Sequence, residues 1–323
     1  MTDDGPDVVV LREGVHGVST TEYAEALRER LPADVNVARA RTADEERELV
    51  PSARVVTGHR IDESLIADAT RMRVFACASA GYDHLPLGAL EDAGVAVTNA
   101  SGVHGPNIAE HVVGVVLQFA REFRRFWRQQ ERHEWRRGQA TELYGSTVTV
   151  FGLGAIGQAV VDRLEPFSVD TVGVRYSPEK GGPTDEVVGF DDHRGVDDAL
   201  ARSDYVVLAC PLTETTRGII DAAALTTMEP HAVLVNVGRG PLVETDALVA
   251  ALQKNAIGGA ALDVTDPEPL PPNHPLWDLE NAFITPHASG HTPRYYQRLA
   301  DVLAANWAAV DADELDDLRN RVR

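Results

Sequence analysis

Three residues able to hold a carboxylate or move a proton stand just past three strand-like runs in the second half of the chain. Arg239 lies in Asn236-Val237-Gly238-Arg239-Gly240. Glu268 lies in Asp263-Val264-Thr265-Asp266-Pro267-Glu268-Pro269, and His287 in Thr285-Pro286-His287-Ala288-Ser289-Gly290. A guanidinium offers a rigid fork to a carboxylate. An imidazole gives or takes a proton near neutral pH, and a carboxylate beside it would hold the ring. Each alone has a plainer reading: a surface charge, an acid in a proline turn, a polar group at a helix end. Loops at the ends of one sheet's strands can converge on one cleft, where these three together could do acid–base chemistry on a carboxylate-bearing molecule.

The elements that would position them begin at Val148-Thr149-Val150-Phe151, a short apolar run that leads straight into Gly152-Leu153-Gly154-Ala155-Ile156-Gly157. Residues 158–164 then carry apolar residues at helical spacing. Strand, glycine turn and helix form the setting that the dinucleotide fingerprint G-x-G-x-x-G requires. Gly152 permits the tight turn, Gly154 lets a pyrophosphate approach the backbone, and Gly157 lets the helix pack on the strand. The first N–H groups of that helix would face the phosphates.

Before this unit, apolar runs at residues 8–11, 35–38, 54–58, 74–78 and 95–99 alternate with helical patterns at residues 20–31 and 42–49. After it, runs at 171–175, 204–210, 232–237, 259–264 and 282–285 follow. Strands alternating with helices predict parallel sheets, so the fold class is α/β with two doubly wound (Rossmann/flavodoxin-like) domains. Between them a long helix is expected with Asn107 as its cap, then a basic helical segment over 121–137 that contains Trp127 and Trp135. Packing is the simpler role for these tryptophans, and a dimer contact is the other. The tail from Pro293 reads as helix, ending in an acidic, frayed stretch over 311–323.

The 323 residues suggest two domains. No run approaches the roughly 18 apolar residues of a membrane span, and the polar start Met1-Thr2-Asp3-Asp4 is unlike a secretory signal. Cys77 and Cys210 are the only cysteines. A cytoplasmic protein without a disulfide framework is therefore expected. The net charge of −20 argues against nucleic acid as a partner. Of the 30 basic residues only Lys180 and Lys254 are lysines. Surplus carboxylates with almost no lysine suit a high-salt cytoplasm, where screening relieves self-repulsion.

The chain resembles the D-isomer-specific 2-hydroxyacid dehydrogenase family, in a haloarchaeal-type form. The resemblance runs in family order through residues 148–157, Cys210-Pro211-Leu212-Thr213-Glu214-Thr215-Thr216, residues 236–240, 262–269 and 286–290, and it covers essentially the whole chain. It implies Arg239 as binder of the substrate carboxylate and carbonyl, His287 as the acid/base and Glu268 as its partner. It also implies that Ala80-Gly81 supply backbone N–H groups to the substrate carboxylate. Cofactor contacts are implied at Gly152, Leu153, Gly154, Ala155, Ile156 and Gly157, at Cys210, Pro211 and Thr216, and at Val237, Asp263, His287 and Ser289. No metal is implied. The family fold implies a discontinuous substrate domain (1–101 with 292–323), a dinucleotide domain (102–291), a cleft between them and a homodimer.

One departure concerns the cofactor. NAD-using members carry an acid at the end of the second strand of the cofactor unit, where it accepts from the ribose hydroxyls. Here that place holds Arg175, followed by Tyr176 and Ser177, with Lys180 nearby. NADP is therefore expected over NAD, with a small 2-oxoacid reduced to a D-2-hydroxyacid. Two alternatives share the fold: a formate or phosphite dehydrogenase, which Glu268 argues against for formate, and a nucleotide-sensing corepressor-like protein.

Overall fold

The structure, a computed structural model, describes residues 5–15 and 17–322. The first four residues of the polar start, His16 and the last residue of the tail lie outside these. The chain divides into two compact units, Met1–Val103 with His291–Arg323, and His104–Gly290.

The first unit opens with β1 (Val8–Val10), α1 (Thr20–Arg30), β2 (Val37–Arg39), α2 (Ala43–Leu49), β3 (Val55–Gly58), α3 (Glu63–Asp68), β4 (Val74–Cys77), α4 (Leu87–Asp92) and β5 (Ala96–Thr98). The strands pair in parallel in the order β2-β1-β3-β4-β5. Both faces of such a sheet are covered, which is why β1, β3 and β4 are continuous buried runs instead of alternating ones. Ser19 caps α1 by accepting from Thr21 N, and Thr42 caps α2 by accepting from Glu45 N.

The second unit holds α5 (Gly105–Ala120), α6 (Phe123–Glu131), β6 (Thr147–Phe151), α7 (Ala155–Leu164), β7 (Asp170–Arg175), β8 (Glu186–Gly189), α8 (His193–Ala201), β9 (Tyr205–Leu208), α9 (Ala222–Thr227), β10 (Val233–Asn236), α10 (Thr245–Gln253), β11 (Gly259–Leu262) and β12 (Ala282–Ile284). Its parallel sheet runs β12-β11-β10-β9-β6-β7-β8. The chain winds outward from β6 through β7 to β8, then returns to place β9 on the other side of β6. That reversal makes the ends of β6 and β9 a topological switch point, the place where doubly wound sheets open a crevice. The chain then goes back to the first unit as α11 (Tyr295–Ala312), whose buried face includes Tyr295, Tyr296, Leu299 and Trp307. Tyr296 stacks on Tyr23 of α1 with ring centroids 4.9 Å apart.

Three expectations are corrected. The basic segment is not one helix over 121–137: Glu122 adopts a left-handed φ of 53° and α6 stops at Glu131, leaving Trp135 outside it. The cause lies downstream, where Thr141 donates to the Ala120 carbonyl from its N–H (2.8 Å) and its hydroxyl (3.2 Å) and takes the acceptor that would continue α5. Asn107 is no cap, since α5 begins at Gly105 and the Asn107 side chain donates to Ser289 O at 2.7 Å. The tail is not frayed: Leu318 is buried, and the Asn306 amide brackets the Arg319 backbone with bonds of 2.7 and 3.0 Å. Among the described residues no helix is long and apolar enough to cross a membrane.

Candidate active site

At the switch point of the second unit the chain leaves β6 through Gly152, whose φ of +95° is open to glycine. A Cβ there would also sit 2.6 Å from the Cα of Cys210, just past β9. A Cβ on Gly157 would lie 1.9 Å from the Gly152 carbonyl, so the helix start can close on the turn only with glycine. Gly154 differs: no protein atom lies within 4 Å of its Cβ position. It caps α7 with no side-chain bond, so the first N–H groups of the helix face open space.

That space belongs to a cavity of about 400 Å³ lined by Gly152, Leu153, Gly154, Arg175, Tyr176, Ser177, Lys180, Phe190, Cys210, Pro211, Thr213, Thr215 and Thr216. The described lining contains two cations and no carboxylate. Arg175 closes β7 with Nη1 donating to the Gly181 carbonyl, while its buried Nε has no hydrogen-bond partner among the described residues. Burial pushes the Cys210 thiol up to about 11, so it is an inert wall of this cavity. Sequence reasoning did not single out Phe190, Thr213 or Thr215 as lining residues. Thr213 and Thr216 interlock, with Thr213 N donating to Thr216 Oγ1 at 2.8 Å and Thr216 Oγ1 donating to Pro211 O at 2.6 Å. Ala155, Ile156 and Gly157 form the first turn of α7 and do not line the cavity.

Farther along the same sheet edge, His287 and Glu268 meet, with Nδ1 and Oε1 2.6 Å apart. Nδ1 is thereby engaged, and Nε2 is the nitrogen left to face a reactant. His287 holds a left-handed φ of 50°, costly for a residue with a side chain. Asp263, at the end of β11, over-determines that loop. Its carbonyl accepts from His287 N at 2.8 Å. Its buried carboxylate accepts from Thr285 Oγ1 at 2.6 Å, Ala288 N at 2.8 Å and Ser289 Oγ at 2.5 Å, with Ser289 N also in range. Burial is the strongest influence on this carboxyl and raises its pKa, but the bonds from Ser289, Thr285 and Ala288 together outweigh it and hold it below the ordinary aspartate value. From the far side His104 and Asn107 hold the Gly290 and Ser289 carbonyls at 2.9 and 2.7 Å, a support with no signal in the sequence.

Arg239 follows β10 in a turn held by Asn236, which accepts from Gly238 N at 3.0 Å and donates to Arg239 O at 2.9 Å. A Cβ on Gly240 would meet the Thr265 carbonyl at 1.9 Å, so the Arg239 turn packs directly on the loop that carries Glu268. Arg239 is exposed, and its Nη1 donates to Gly238 O at 2.7 Å. Val237 is buried next to it.

In the first unit Ala80 and Gly81 are exposed beyond β4. Their N–H groups donate to no group among the described residues, while Asn99 Nδ2 holds the Ala80 carbonyl at 2.7 Å and Ala100 N holds the Ser79 carbonyl at 3.1 Å. Among the described residues no group of three or more His, Cys, Asp or Glu could hold a metal ion.

The profile of the family described as "D-isomer specific 2-hydroxyacid dehydrogenase, NAD binding domain" matches residues 113–289. A glyoxylate reductase of Thermofilum pendens is 34% identical over 79% of this chain and 77% of its own. The human glyoxylate reductase/hydroxypyruvate reductase is 32% identical over 86% and 91%. Among solved structures, a D-isomer-specific 2-hydroxyacid dehydrogenase from Xanthobacter autotrophicus in complex with NADPH and MES superposes with a TM-score of 0.78 at 27% identity, covering 99% of this chain and 98% of that one. The chain belongs to the D-isomer-specific 2-hydroxyacid dehydrogenase family and is an NAD(P)-dependent oxidoreductase. The open cradle at Gly154 and the cationic, carboxylate-free cavity fit such a dinucleotide.

Proposed function

We propose that this enzyme reduces a small 2-oxoacid to the D-2-hydroxyacid, with NADPH preferred over NADH. The observation that carries the reading is the His287–Glu268 pair, which leaves His287 Nε2 available as a proton donor. The nicotinamide, when bound, supplies the hydride. Protonated His287 gives its proton to the keto oxygen. Arg239 takes the substrate carboxylate and polarises the carbonyl. The free N–H groups of Ala80 and Gly81 bind the carboxylate further, which fixes the keto carbon in place. Thus the first unit serves as the substrate domain and the second as the dinucleotide domain. The α7 N-terminus with Gly152–Gly157 would take the pyrophosphate. The 2′-phosphate would fall to Arg175, Ser177 and Lys180, and Tyr176 would line the same cavity beside it. Cys210, Pro211 and Thr216 would line the dinucleotide's path, and Val237, Asp263 and Ser289 would stand at the nicotinamide end. Asp263 acts there by setting the His287 loop, because its carboxylate is already filled by protein donors.

Two further readings concern the whole molecule. Glu46 and Asp263 are the buried carboxylates among the described residues, so the negative charge is displayed outward, as a high-salt cytoplasm would favour. The α6 face, with Phe123 56% and Trp127 70% exposed and no α6 residue buried, is read as a surface for a second copy. Light scattering should then report twice the chain mass.

The test is NADPH oxidation by the purified protein over a panel of 2-oxoacids led by glyoxylate and hydroxypyruvate, with the product's configuration determined. Turnover to a D-product supports the proposal. Cofactor binding without turnover of any 2-oxoacid would favour the nucleotide-sensing alternative.

A further inference from the structure

The segment after α11 returns to the outer edge of β5. Val322 N donates to Val97 O at 2.8 Å, Asn99 N donates to Asn320 O at 3.1 Å, and Thr98 and Arg321 form an antiparallel bridge. Sheet edges are commonly covered, so this alone is structural. The Asn320 side chain does something else. Its Nδ2 donates to Asn99 O at 3.1 Å and to Ser101 O at 2.8 Å. It thus clasps the backbone on both sides of Ala100, whose N–H holds the Ser79 carbonyl. Within that clasp the buried Asn99 amide is fully directed. Its Oδ1 accepts from Ser101 N at 3.1 Å, which turns Nδ2 onto the Ala80 carbonyl at 2.7 Å.

The Ala80 carbonyl and the Gly81 N–H belong to one planar peptide unit and point in opposite directions. Fixing the carbonyl therefore aims the N–H. Loops with few internal bonds sample many peptide orientations, so two free donors need an anchor to act together. We propose that Asn99 is a positioning residue for the substrate loop and that Asn320 holds it in register, so that the 320–322 segment sets how well the Gly81 N–H meets the substrate carboxylate. This rests on the proposed role of Ala80-Gly81. Asn320 itself has a left-handed φ of 61°, which asparagine and glycine tolerate best.

The test uses the full chain with Asn320→Gly, which keeps the backbone angle and removes both side-chain bonds, and Asn99→Asp, which sets a carboxylate against the Ala80 carbonyl. KM for glyoxylate, kcat, the NADPH dissociation constant and the thermal midpoint are measured for each. KM should rise about tenfold for Asn99→Asp and several-fold for Asn320→Gly, with kcat changed less than about twofold, because ground-state and transition-state carboxylate binding weaken alike. NADPH affinity should hold. An unchanged KM in folded Asn99→Asp, or equal losses in KM and NADPH affinity, would overturn the inference. Gly81→Pro, which deletes the N–H, separates the two levels. If it raises KM and the asparagine variants do not, this inference alone fails. If it leaves KM unchanged, the reading of the loop fails with it.

Discussion

His287 Nδ1 lies 2.6 Å from Glu268 Oε1, across a loop whose backbone is pinned by Asp263. The contact fixes both the direction of the imidazole and which of its nitrogens is free. Glu268→Gln keeps an acceptor of the same shape and removes the charge. A charge-assisted bond contributes roughly 1.5–3 kcal/mol, or about ten- to a hundredfold. The pair is partly exposed, so solvent screening places the expected loss in kcat near the low end, about tenfold. Steady-state kinetics at saturating 2-oxoacid checks this, and a kcat within about twofold of wild type would dismiss the pairing as a catalytic feature.

Asp263 predicts an acid response. Its folded pKa lies below the ordinary value, so its contribution to stability is complete above the unfolded pKa of about 3.9 and is lost as pH falls through the lower folded value. The thermal midpoint of the wild type should therefore drop more steeply below about pH 4 than that of Asp263→Asn, which has no proton to take up there. Parallel midpoint curves for the two proteins would contradict it.

Arg175 predicts cofactor choice. With a buried Nε unpartnered among the described residues and no carboxylate in the cavity lining, the guanidinium suits a 2′-phosphate. The expected ratio of kcat/KM for NADPH over NADH is about ten to a hundred, nearer ten in molar KCl. Arg175→Asp should narrow or invert it. Equal values for both cofactors in the wild type would remove Arg175 from phosphate binding.

The surface charge predicts salt dependence. With a net charge of −20, raising KCl from low to molar concentration should raise the thermal midpoint, since screening relieves carboxylate repulsion. A flat or falling midpoint would argue against adaptation to high salt.

Much of this was legible in the residues because its determinants are local. Apolar runs bounded by turns marked eleven strands, and β8 was missed because Glu186-Val187-Val188-Gly189 is too short and mixed to stand out. The glycine fingerprint is legible because its spacing between strand and helix is local, with Gly157 closing on the Gly152 carbonyl, although Gly152 also answers to the distant Cys210. What stayed hidden depends on distant partners. Residues 121–123 look helical, and only Thr141 breaks them. Residues 311–323 look like a solvated tail, and distant partners such as Asn306, Val97, Asn99 and Ser101 are what dock them. The Glu268–His287 contact could be expected from resemblance, but the four donors that fill the Asp263 carboxylate could not, because they come from the loop it holds.

His287 is the proposed proton donor in 2-oxoacid reduction, and the direct measurement is NADPH oxidation by wild type and His287→Ala with one saturating 2-oxoacid. The wild type should turn over, and the variant should lose about a hundredfold or more in kcat while its NADPH dissociation constant stays the same. A His287→Ala protein that retains near wild-type kcat would contradict it.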